Sequence, residues 1–108
     1  MRYFVVQQES APVAVVFHDH VGGNFLCRSK TESFLSAFNA ICEKREVGVQ
    51  RDESSDHVIR AVRRGSQDYD WISNILDHLS GSTWSVLKEG TVINVEGSID
   101  AVITEYLT

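Results

Sequence analysis

Apolar positions form strand-like runs near the start of the chain and helix-like stripes further on. Residues 3–7 and 13–18 are rich in β-branched and aromatic side chains, and a shorter run covers 25–28. Turn-forming residues separate these runs at 9–12 and 18–24. We therefore predict an antiparallel meander of three strands. The second run is apolar at almost every position, which indicates a strand covered on both faces, or on one face and by a partner.

A helix is predicted directly after the third strand. Ser29 and Glu32 have the spacing of a capping box, in which each side chain satisfies a backbone amide at the start of a helix. Lys44 and Arg45 suit the negative end of the helix dipole. Between these ends, one helical stripe carries the apolar residues Phe34, Leu35, Phe38, Ile41 and Cys42.

The most regular helical stripe lies within residues 68–79. Gly81 follows it and can adopt the left-handed conformation that ends a helix. Residues 83–95 then resemble two short strands around Glu89-Gly90, a pair that is common in turns. We expect this helix and hairpin to be the unit around which the domain is organised. The apolar residues of the stripe are Trp71, Ile72, Ile75, Leu76 and Leu79.

Two segments fit more than one structure. In residues 56–64 a helix would separate the valines and isoleucine from the arginines better than a strand, so a helix is preferred. A hairpin over 47–62, turning at 52–55, is the alternative. Residues 98–107 predict a helix capped by Ser98, although the β-branched residues also fit a terminal strand.

These elements predict one α+β domain over residues 1–108. We expect two layers, with a mostly antiparallel sheet of four or five strands and two or three helices packed on one face. The predicted core consists of Phe4, Val6, Val15, Phe17, Phe34, Leu35, Phe38, Ile41, Trp71, Ile75, Leu76, Leu79, Val86 and Val92.

Charge is distributed unevenly along the chain. The net charge is −5, and residues 65–108 carry seven carboxylates against the single basic residue Lys88, a net of −6. Such a field favours basic protein partners and disfavours nucleic acid or an anionic membrane. No apolar run approaches the roughly 20 residues that span a bilayer, and no signal peptide is evident, so a cytoplasmic location is expected.

A metal-dependent enzyme is one alternative function, with a metal site at His18-Asp19-His20. On an extended segment the two imidazoles would point the same way and could bind one ion, with His57 or His78 as a further ligand. A polar strand end that enters a turn explains the same triplet without a metal. That explanation is favoured, and no cofactor is expected.

An anion site is a second hypothesis. Arg60, Arg63 and Arg64 would share one face of a helix, where they could bind a phosphate or carboxylate. The aromatic residues that usually accompany a nucleic-acid surface lie among aspartates instead. Pairing within the chain or a solvated face is therefore favoured over nucleic-acid binding.

We expect a protein-binding module of the inhibitor, immunity or adaptor type, rather than an enzyme. Asp70 and Asp77 lie two turns apart on one helix face, with Ser73 and Asn74 between them. An acidic surface of this kind would steer a basic protein partner. Acidity that serves only solubility is one alternative, and a homodimer formed through an exposed strand edge is another.

Overall fold

The computed structural model describes residues 1–19, 24–44, 48–51, 58–62, 84–93 and 97–107. Within this part of the chain there are six strands and two helices. Their order is β1 Arg2–Gln8, β2 Ala11–Asp19, β3 Asn24–Ser29, α1 Glu32–Lys44, β4 Gly48–Arg51, β5 Val58–Val62, β6 Trp84–Thr91 and α2 Ser98–Leu107.

The strands form one antiparallel sheet in the order β4-β5-β3-β2-β1-β6. The predicted α+β class and the predicted meander of β1, β2 and β3 are confirmed. Six strands are present in the described part of the chain, where four or five were predicted. The predicted helix over 68–79 lies outside the described residues.

Val58–Val62 is a strand, so the preferred helix over 56–64 is wrong for this segment. The antiparallel pairing of the alternative hairpin is confirmed for β4 and β5, and its predicted turn at 52–55 lies outside the described residues. In the sheet, Arg60 lies between Leu26 of β3 and Gln50 of β4. Pairing on both sides satisfies the backbone hydrogen-bonding groups of β5. This long-range gain outweighs the better helical segregation of its side chains, which is a local preference.

The predicted hairpin over 83–95 is also wrong. Trp84–Thr91 is one strand, and Glu89 and Gly90 lie inside it. The strand pairs with β1, where Gly90 lies opposite Tyr3. Gly90 is therefore explained by the side chain that crosses it, and not by a turn.

Both faces of the central strands are covered. Tyr3 and Val5 point to one face of the sheet, because successive residues of a strand alternate. Phe4 and Val6 point to the other face, and all four are buried. The first face packs against α2 in a cluster of Tyr3, Val5, Val15, Phe17, Val102, Ile103 and Leu107.

Helix α1 covers the opposite face. The ring of Phe34 meets that of Trp84 edge-on, with 5.6 Å between centroids. Trp84 pairs with Gln8, which shares a face with Phe4 and Val6. The expectation that the helices pack on one face is therefore wrong for α1 and α2. The continuous burial of β1 and β2 requires a cover on each side.

The helix starts differ in detail from the predicted caps. The hydroxyl of Thr31 accepts a hydrogen bond from the amide of Phe34 at 3.4 Å, so Thr31 caps α1 in place of Ser29. Ser29 ends β3, where its hydroxyl donates to the carbonyl of Val13. Helix α2 is confirmed, but its first carbonyl acceptor is Gly97, at a φ of 85°.

Most of the predicted core residues that the structure describes are buried. Val86 is the exception at 41% exposed, and Val92 is partly buried against the α2 cluster. The side chains of Ile41, Trp71, Ile75, Leu76 and Leu79 lie outside the described part. The confirmed core residues are Phe4, Val6, Val15, Phe17, Phe34, Leu35 and Phe38.

Candidate protein-binding surface

Strand β6 forms one end of the sheet and displays apolar side chains. Among the strands that the structure describes, it is the last in the sheet order, with β1 on its inner side. Val86 and Leu87 are 41% and 46% exposed, and Ile93, just beyond the strand, is 81% exposed. No described strand pairs with the outer side of β6. A sheet edge of this kind beside exposed apolar residues is a surface to which another chain can add.

The backbone of β6 has a definite orientation at this edge. The amide of Val92 donates to the carbonyl of Met1 at 2.9 Å, and the amino group of Met1 donates to the carbonyl of Val92 at 3.2 Å. Val92 therefore faces β1. Hydrogen-bonding groups alternate in direction along an antiparallel strand, so those of Glu89 and Thr91 face away from β1.

The regular part of β6 begins after a bulge. Val5 pairs with Lys88 and Val6 pairs with Val86, which leaves Leu87 as an extra residue. A bulge disturbs the hydrogen-bond ladder locally. The segment from Lys88 to Thr91 is therefore the stretch of β6 that offers a regular edge, and Val92 follows it directly.

The charged side chains of β6 contact their own chain. Glu89 forms a salt bridge with Arg2, whose guanidinium also lies over the ring of Phe4 at 5.1 Å. Lys88 lies over the ring of Tyr106, at 5.8 Å from its centroid. A hydrogen bond with Tyr106 raises the pKa of Lys88 above its usual value. Each of these two charged side chains therefore interacts with another side chain of its own chain.

The described acidic residues of α2 lie on its outer side. Asp100 and Glu105 are exposed. Val102, Ile103 and Leu107 point inward and are buried. This part of residues 65–108 therefore presents carboxylates outward.

The residues predicted to bind a partner, Asp70, Ser73, Asn74 and Asp77, lie outside the described part of the chain, and they stay a prediction. Arg60 lies on strand β5, so residues 58–62 do not form the helical face proposed to group the arginines. Arg63 and Arg64 lie outside the described residues.

The structure describes His18 and Asp19 of the proposed metal triplet. His18 is buried at 4% exposed and pairs with Arg2 on one side and Phe25 on the other. Asp19 ends β2, and His20 lies outside the described residues. Within the part that the structure describes, no group of three histidine, cysteine or acidic side chains could bind a metal.

The edge of β6 was not predicted from the sequence. One signal was present, because the apolar pairs Val86-Leu87 and Val92-Ile93 flank the polar stretch 88–91. Gly90 lies in that stretch and indicated a turn, whereas the strand continues through it.

Comparison with protein-family models, curated proteins and solved structures finds no match to this chain. Neither described helix is long and apolar enough to cross a membrane. Function is therefore inferred from the chemistry of the surfaces described above.

Proposed function

We propose that this protein acts by binding a basic protein through an acidic surface contributed by residues 65–108, as an inhibitor, immunity or adaptor protein. The observation that carries the proposal is that α2 has a buried apolar side and an exposed acidic side. Val102, Ile103 and Leu107 are buried, while Asp100 and Glu105 are exposed.

The charge of the region supports the same function. Residues 65–108 have a net charge of −6. Carboxylates that share a surface attract a basic partner over a distance, which raises the association rate and selects against acidic partners. Asp70 and Asp77 remain part of the proposed surface. The proposal also includes a cytoplasmic location.

Affinity capture from native cell lysate at low and at high salt tests the proposal. We expect the wild type to retain a basic protein at low salt and to lose much of it at high salt, because salt screens exposed charges. Two variants separate the parts of the surface: Asp100→Lys with Glu105→Lys, and Asp70→Lys with Asp77→Lys. At least one of them should release the partner.

A matched control changes the net charge equally but elsewhere. Glu9→Lys with Glu32→Lys alters two exposed carboxylates outside residues 65–108. This control should keep the partner. If all three variants retain the same proteins as the wild type, the acidic residues serve solubility alone and the proposal fails.

A further inference from the structure

We propose that β6 pairs with β6 of a second copy of this chain, in an antiparallel register centred on Gly90. The two sheets would join into one continuous sheet across a two-fold axis. This inference goes beyond the proposed function, because it concerns the sheet edge and not the acidic surface.

The backbone orientation selects the centre of the register. Glu89 and Thr91 direct their hydrogen-bonding groups away from β1, as the pairing of Val92 with Met1 indicates. A two-fold axis at Gly90 places Glu89 of one copy opposite Thr91 of the other. These residues can then exchange hydrogen bonds in both directions, and the same exchange repeats on the other side of the axis.

Gly90 suits the centre of such a pair. The two central residues would be a non-hydrogen-bonded pair, in which the backbones approach most closely. Gly90 has no β-carbon, so it permits that approach. The register also uses residues 88–92, which lie on the regular side of the bulge at Leu87.

The side chains favour the same register. With the axis at Gly90, Leu87 of one copy lies opposite Ile93 of the other, and both are large exposed apolar residues. Lys88 lies opposite Val92, so no charge directly opposes a like charge. Cross-strand apolar pairs stabilise a sheet, whereas like charges opposite each other destabilise it.

Neighbouring registers are less favourable. An axis at Lys88 or Glu89 would bring identical charges directly together. An axis at Leu87 would place the bulge at the centre of the new ladder. An axis at Thr91 would put Ile93 opposite Glu89, so the apolar pair of Leu87 and Ile93 would be lost. The Gly90 register avoids all three costs.

The predicted dimer is weak. A single strand pair with two flanking apolar contacts forms an interface below the usual size for stable complexes, which bury on the order of 1,600 Å². We therefore expect a monomer–dimer equilibrium in the micromolar range, and sedimentation equilibrium of the purified protein can measure it.

Compensating charges test the register. Leu87→Lys alone and Ile93→Glu alone should each weaken dimerisation roughly tenfold or more, which corresponds to about 1.4 kcal/mol. The double variant places a lysine opposite a glutamate twice across the axis, so its dimerisation should recover. In a register centred on Leu87 the two lysines would meet, and no recovery would occur.

A backbone variant tests the hydrogen bonds. Thr91→Pro removes an amide that faces away from β1, so it should abolish the dimer while leaving the fold intact. Thr91→Ala keeps the amide and should preserve the dimer. Circular dichroism establishes folding of each variant.

Clear results would overturn the inference. Wild-type protein that stays monomeric up to millimolar concentration, or a dimer that ignores the changes at residues 87, 91 and 93, would exclude β6 pairing. Both measurements use the purified protein and need no partner protein from a lysate. A monomer that still captures a basic protein through its acidic residues would remove the dimer and leave the proposed function standing.

Discussion

The ring of Tyr3 occupies the place where a side chain at Gly90 would begin. The two residues lie opposite each other on β1 and β6, and a β-carbon built on Gly90 would overlap the outer atoms of the Tyr3 ring. Tyr3 is buried by this arrangement and belongs to the core cluster under α2. The absent side chain at Gly90 thus lets an aromatic residue cover the backbone of the end strand.

Gly90→Ala should destabilise the protein by about 1–3 kcal/mol, because the Tyr3 ring must leave its packed position. In a Tyr3→Ala background the same change should cost far less, since the overlapping ring is gone. Urea unfolding of the four proteins in this cycle gives the coupling energy. A coupling energy near zero would show that the contact with Tyr3 does not constrain Gly90.

The contact between Tyr3 and Gly90 could not be predicted from the sequence. Glycine after a polar residue is common in turns, and local pattern cannot distinguish that use from a glycine crossed by a distant ring. Tyr3 is far from Gly90 along the chain, so only the folded sheet brings them together. The runs that became β1 and β2 were predictable, because their apolar residues are consecutive and their turn is short.

The predictions of α1 and α2 were confirmed for a local reason, and the helix predicted over 56–64 was wrong for a long-range one. The apolar residues of α1 and α2 recur within a few positions, so the sequence contains the whole signal. For Val58–Val62 the deciding interactions come from β3 and β4. The predicted acidic site on residues 70–77 lies outside the described part and remains a prediction.

Phe38→Ala should cost about 3–5 kcal/mol of unfolding free energy, because a fully buried ring on α1 is lost and a cavity remains. The ring of Phe38 stacks beside that of Phe34 at 6.3 Å between centroids. In dilute solution, where the proposed dimer is dissociated, Ile93→Ala is the matched control, since Ile93 is 81% exposed and its truncation should change stability by less than about 0.5 kcal/mol. Denaturant unfolding measures both, and equal effects would show that α1 does not pack as described.

Thr31→Ala should cost roughly 0.5–2 kcal/mol, because the amide of Phe34 loses its acceptor at the start of α1. Thr31→Ser keeps the hydroxyl and should restore most of the stability. Ser33→Ala, an exposed position in the first turn, should have little effect. A Thr31→Ser variant as unstable as Thr31→Ala would mean that the methyl group, and not the cap, is what matters.

The turn between β1 and β2 is built from residues that rarely adopt its conformation. Glu9 and Ser10 have φ values of 52° and 67°, so both central residues of this two-residue turn are left-handed. Turns of this type favour asparagine followed by glycine, whose backbones enter that region at lower cost. Glu9→Asn with Ser10→Gly should therefore stabilise the protein by about 0.5–1 kcal/mol, as a shift of the urea midpoint to higher concentration. Glu9→Val is the opposing control, because a β-branched residue is strained at positive φ and should lower the midpoint. If Asn-Gly lowers stability, the original side chains contribute more to the folded state than their backbone strain costs.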